Sequence, residues 1–130
     1  MYGRTSHIAV PLLSGEVLIV GGETDSGPAL YAELYDPSKG SFSVSGMESD
    51  ERYRHTATLL PNGRVLVAGG NGNMTSVDLY ERASGKFTST GALTVERQLH
   101  TATLLPNGSV LVAGGSGSDQ SPTNSTELYF

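Results

Sequence analysis

The sequence contains no cysteine and no tryptophan. Without thiols there is no disulfide framework, no thiolate nucleophile, and no cysteine-based zinc or iron–sulfur site. Long apolar runs are missing as well, since stretches such as Val17–Val20 and Val65–Ala68 are only a few residues long, against roughly 20 for a membrane-spanning helix. No secretory leader is visible either, because the segment after Arg4 is broken by His7, Pro11 and Ser14. The expectation is a soluble chain whose compartment the residues do not specify. Positive charge is scarce: 8 Lys and Arg stand against 13 Asp and Glu, for a net charge of −5. With no basic cluster, neither nucleic acid nor an anionic membrane is an expected partner. Helix formers are diluted by 17 glycines and 6 prolines. The 130 residues leave room for one small domain.

What is present is repetition. The pairs Gly21-Gly22, Gly69-Gly70 and Gly114-Gly115 each begin 14 positions after His7, His55 and His100 respectively. Arg4, Arg52 and Arg97 lie three residues before those histidines, and an acid followed by Leu-Tyr closes each copy at Tyr35, Tyr80 and Tyr129. The histidines are 48 and then 45 residues apart, a period in the range of propeller blades. From Arg52 to Gly70 and Arg97 to Gly115, 16 of 19 positions are identical.

Each copy reads as short strands. His55–Leu60 and Arg64–Gly69 flank Pro61-Asn62-Gly63, and the third copy repeats that hairpin through Pro106-Asn107-Gly108. A third strand spans Ser76–Glu81 and a fourth, more polar and outermost, spans Lys86–Ser89. Val65 to Ala68 and Val110 to Ala113 are apolar at every position, the pattern of a strand covered on both faces. With no helical periodicity to supply that cover, sheets must stack on copies of themselves, as in a β-propeller.

These residues resemble the kelch repeat, in the elements His55-Thr56-Ala57, Val65 to Gly69-Gly70, Asp78-Leu79-Tyr80 and Phe87. Phe42 and Phe87 stand where the family commonly has tryptophan. The His-Thr-Ala-Thr-Leu-Leu-Pro-Asn-Gly style looks like bacterial kelch repeats similar to the propeller of galactose oxidase. The resemblance implies an all-β, kelch-type propeller fragment of about three four-stranded antiparallel blades, over residues 1–47, 48–93 and 94–130, the last lacking its outer strand. Kelch rings usually hold six or seven blades, and a three-blade arc would show an apolar face at each end. A face of about 500 Å² is worth on the order of 12 kcal/mol. The expectation is therefore a homodimer, two arcs closing a six-bladed ring, with the chain's being a piece of a longer propeller as the alternative.

The expected ligand-binding residues are Arg4, Arg52, Tyr53, Arg54 and Arg97, at the crossovers around one mouth of the ring, where guanidinium groups suit an acidic peptide or carbohydrate. The competing role for the three repeated arginines is a local ion pair, for instance with Glu51 or Glu96. The loops Glu23–Leu30, Asn71–Met74 and Ser116–Asn124 differ most between copies, as recognition loops on a rigid scaffold do. His7, His55 and His100 read better as buried imidazoles tied to backbone or to Thr58 and Thr103 than as metal ligands, so no metal site and no cofactor is expected. The glycine pairs and Tyr35, Tyr80 and Tyr129 are repeat elements, not chemistry.

The functional expectation is a non-enzymatic kelch module that binds a protein or small ligand and associates with itself. The copper radical site of galactose oxidase needs a cysteine cross-linked to tyrosine, which this sequence lacks. Half of a carbohydrate-active enzyme similar to a sialic-acid mutarotase, also built on a six-bladed kelch ring, is the enzymatic alternative, although no acid–base pair stands out. A purely structural oligomer is the third reading.

Overall fold

The computed structural model describes residues 1–130 and contains strands but no helix. Three antiparallel sheets follow one another along the chain. The first comprises Ile8–Pro11, Val17–Val20, Tyr31–Asp36 and Ser41–Met47, the second Thr56–Leu59, Val65–Ala68, Val77–Glu81 and Lys86–Ser89. The third has only Thr101–Leu104, Val110–Ala113 and Thr126–Tyr129. In each, sequence order is spatial order, and no sheet closes on itself. Two-residue ladders, Glu23–Thr24 with Gly27–Pro28 and Arg52–Tyr53 with Asn71–Gly72, complete the structure.

Local chemistry explains the hairpins. In the second sheet Thr56 pairs with Ala68 and Leu59 with Val65. The turn between them places Gly63 at φ 86°, where a side chain is disfavoured. The Asn62 carboxamide oxygen accepts the Arg64 amide at 3.0 Å, and Asn107 does the same for Ser109. On the next strand pair Tyr80 sits opposite Phe87 with ring centroids 4.9 Å apart, a packing repeated by Tyr35 and Phe42.

The sheets stack face to face, and the two joints between them are the core. Val10, Leu12, Leu18, Val20, Ala32 and Leu34 of the first sheet meet Val65, Val67 and Tyr80 of the second. The other face of the second sheet, through Leu66, Ala68 and Val77, meets Val110 and Val112 of the third. The doubly apolar strand therefore means what its sequence suggests only in the middle. Val65 to Ala68 is buried throughout, whereas in the identical tetrapeptide Val110 to Ala113 burial alternates, with Leu111 and Ala113 half-buried. Leu128, beside Leu111 on that outer face, is 48% exposed.

Candidate functional site

At each crossover an arginine enters a buried polar nest. Arg52 Nη2 donates to Asp78 Oδ2 at 2.7 Å and to Ser76 Oγ at 2.6 Å, and Nη1 donates to the carbonyls of Gly69 and Ser76. Arg97 copies this with Glu127 at 2.9 Å, Ser125 Oγ at 2.7 Å and the carbonyl of Gly114 at 2.8 Å. Arg4 reaches Glu33 at 2.8 Å and the Gly21 carbonyl at 3.0 Å. All three side chains are at most 2% exposed. The geometry favours the ion-pair role, but with different partners from those expected: the acids are on the third strand, two residues before the repeat tyrosine, and not at Glu51 or Glu96. The two other residues proposed at this mouth are placed differently. Tyr53 receives a hydrogen bond from the Asn71 carboxamide at 2.6 Å, and exposed Arg54 lies 5.5 Å above the Tyr53 ring.

The histidines tie sheet to sheet. His55 Nε2 donates to the Val20 carbonyl of the preceding sheet at 3.2 Å. His100 Nε2 is 2.9 Å from the hydroxyl of Thr56, so the hydroxyl partner is on the preceding sheet's first strand and is not Thr58 or Thr103. Burial and the neighbouring Arg52 push His55 down to about 3, and burial with Arg97 pushes His100 down to about 4. Both rings are neutral at physiological pH.

Two features escaped the sequence reading. Glu48 is buried, accepts the Gly21 amide at 2.7 Å through Oε1, and has no partner for Oε2. Burial raises its carboxyl to about 7 against the opposing pull of the Gly21 amide, Arg52 and Arg4. A lone glutamate outside the repeat gives no sequence signal of this kind. Ser6, Arg54 and Leu99, each immediately before the repeat histidine, adopt φ of 57°, 60° and 56°. Since none is glycine, composition conceals the bend.

The loops that differ between copies line open clefts on the arginine side. One, of about 680 Å³, is bordered by Tyr2, Arg4, Asp25, Leu30 and Tyr31. A second, of about 820 Å³, runs between Glu96 and the Gly117–Asn124 loop. No group of three or more His, Asp or Glu side chains is arranged to hold a metal ion.

Comparison with known proteins gives the frame for this geometry. No family model matches the sequence. Over 76 residues, 53% of the chain, it is 36% identical to galactose oxidase of Gibberella zeae, of which those residues are 11%. Over 82 residues, 54% of the chain, it is 34% identical to aldehyde oxidase GLOX of Vitis pseudoreticulata, 16% of that protein. A fungal alcohol oxidase of the AA5 family, solved in complex with copper, superposes on 98% of this chain with a TM-score of 0.73 at 19% identity, using 28% of its own length.

The fold is galactose oxidase-like. The expectation of a non-enzymatic binding module is overturned by these matches, since all three of these proteins are named as oxidases. The missing cysteine speaks only for these 130 residues, and the chain spans a small share of each of these proteins. No helix is long and apolar enough to cross a membrane.

Proposed function

We propose that the chain is a segment of the kelch-type propeller of a copper-dependent alcohol or aldehyde oxidase, contributing about three blades to its frame. The observation that carries this reading is the coincidence of two matches: sequence identity of 36% to a galactose oxidase, and superposition of nearly the whole chain on a copper-bound alcohol oxidase.

Copper itself does not fit the residues present. His55 and His100 spend Nε2 on neighbouring sheets, their Nδ1 atoms are enclosed, and no third ligand converges on either. There is no cysteine for a thioether link to tyrosine. In this reading the metal belongs to other parts of the oxidase. The role of this segment is to hold the ring rigid through its buried arginine nests and to present the clefts around Tyr2 and Glu96 at one mouth.

The test is to recover the coding sequence on both sides of this segment, express the extended protein with copper, and assay peroxide release with primary alcohols and aldehydes. Copper-dependent peroxide is expected. An extended protein that binds copper stoichiometrically yet oxidises neither class, or a reading frame that adds no further propeller sequence, overturns the reading.

A further inference from the structure

Arginine carries most of this chain's positive charge, and all but one of its arginines are spent on the chain's own carboxylates. Arg4, Arg52 and Arg97 hold Glu33, Asp78 and Glu127 in the buried nests. On the surface Arg64 faces Glu81 at 3.5 Å and Arg82 holds Glu16. The remaining one is Arg54. It is exposed, and its guanidinium has neither an ion-pair nor a hydrogen-bond partner in a chain with 13 Asp and Glu.

This guanidinium is held, not loose. It lies 5.5 Å from the centroid of the Tyr53 ring, within the range of a cation–π contact. The ring is itself anchored, because the Tyr53 hydroxyl accepts Asn71 Nδ2 at 2.6 Å, Tyr53 pairs with Asn71 in a short ladder, and Asn71 Oδ1 accepts the Gly72 amide at 2.8 Å. The backbone is fixed as well. Arg54 stands at φ 60°, a region unfavourable to arginine, and its carbonyl accepts the Leu99 amide of the following sheet at 2.9 Å. On the other side the Gly22 amide of the preceding sheet donates to the Arg52 carbonyl at 2.9 Å. Sheets of this chain therefore flank Arg54 on both sides, and its setting owes nothing to the open faces of the first and third sheets.

An oriented guanidinium without an internal counter-charge is a receptor for an external anion, and its planar fork matches the two oxygens of a carboxylate. Charge fixes how large an anion. The other cations without a carboxylate partner, Lys39 and Lys86, belong to the connection between third and fourth strands and to the outer strand, away from this crossover. With a net charge of −5 the chain repels a polyanion, so the contact suits a ligand bearing a single carboxylate.

We propose that Arg54 is a specificity-determining residue that receives the carboxylate of a polyhydroxy acid, turning the oxidase toward acidic alcohols and aldehydes over neutral ones. The carboxylate contact stands on the geometry of Arg54 and Tyr53, while the role of its ligand as substrate rests on the oxidase reading.

The probes are gluconate and sorbitol, six-carbon polyols that differ by a carboxylate in place of a hydroxymethyl group. Titration calorimetry on the extended protein is expected to show gluconate binding that Arg54→Gln weakens at least tenfold and Arg54→Lys, which keeps the charge but not the fork, weakens less. Arg64→Gln removes the same charge from a distant paired site and should leave binding alone. With copper, the ratio of kcat/KM for gluconate over sorbitol in peroxide release should fall at least tenfold in Arg54→Gln. Gluconate bound no better than sorbitol, binding indifferent to Arg54→Gln, or equal losses in Arg54→Gln and Arg64→Gln overturns the proposal. So does an acidic residue of the extended protein that pairs with Arg54 and shuts gluconate out. Gluconate binding that depends on Arg54, in a protein that oxidises neither alcohol, supports the carboxylate contact and overturns the oxidase reading, so the two failures are told apart.

Discussion

Arg52 and Asp78 form an ion pair at 2.7 Å with both side chains 1% exposed. The arginine also gathers the carbonyls of Gly69 and Ser76, so one guanidinium fixes the end of the second strand and the start of the third. Taking two charges from water is costly, and the pair is tolerable because most of its hydrogen-bonding atoms are used, with Arg52 Nε as the exception. Asp78→Asn or Arg52→Met alone leaves a buried group without its counter-charge and should cost about 3–5 kcal/mol in urea unfolding. Arg64→Ala, at a pair with both side chains nearly half exposed, should cost less than about 1 kcal/mol. Equal losses at the two sites would contradict this account of the nest.

Leu99 should be replaceable with profit. It sits at φ 56° and is 64% exposed, so it carries a left-handed backbone without burying its side chain in return. Its amide, which donates to the Arg54 carbonyl at 2.9 Å, survives any substitution except proline. Asparagine takes this backbone region far more readily than leucine. Leu99→Asn should therefore raise stability by up to about 1 kcal/mol, visible as a higher midpoint in urea with an unchanged slope.

The architecture was legible because its carrier, an apolar strand between glycine-rich turns, is periodic in sequence. Lys86–Ser89 matches its expected span, and the hairpin and third strands differ only by a residue at their ends. Partner choice was less legible. Asp78, Glu33 and Glu127 repeat as faithfully as the arginines, yet lie 26 to 30 residues downstream, and only the sheet register shows that the third strand folds back beside the crossover. Function was less legible for a different reason: the absence of cysteine describes only these residues, which correspond to a small part of the oxidases they resemble.

Gly69 and Gly40 make a controlled comparison. Their φ values are 65° and 63°, but nothing lies within 4 Å of a Cβ on Gly40, whereas one on Gly69 would press on the Arg97 carbonyl oxygen at 2.6 Å. Alanine at Gly40 should cost only the backbone term, about 1 kcal/mol. At Gly69 the steric conflict adds about 1–3 kcal/mol, because backbone of the next sheet must move. The difference between the two, measured by thermal or urea unfolding, reports the tightness of the joint. Similar costs would mean the sheets can slide apart without penalty.

The pH dependence follows from three buried groups. In the folded chain His55 and His100 titrate at about 3 and about 4, below the ordinary 6.5, so the unfolded chain binds more protons between those values. Their contribution is complete above pH 6.5 and is lost as pH falls through 6.5 toward 4 and 3. Glu48 runs the other way. Raised from 4.5 to about 7, it gives a contribution that is complete below 4.5 and is lost as pH rises through 7. Between pH 4.5 and 6.5 two histidines oppose one glutamate, leaving about one proton and a loss of about 1.4 kcal/mol per unit of acidification. Stability should therefore peak at about pH 6.5–7. His55→Gln should flatten the acid limb to nearly zero slope, and Glu48→Gln should steepen it to about two protons. Urea titrations at half-unit steps from pH 5 to 8 measure all three slopes, and a wild-type limb that does not change with either substitution would show that these groups are solvated in the folded chain.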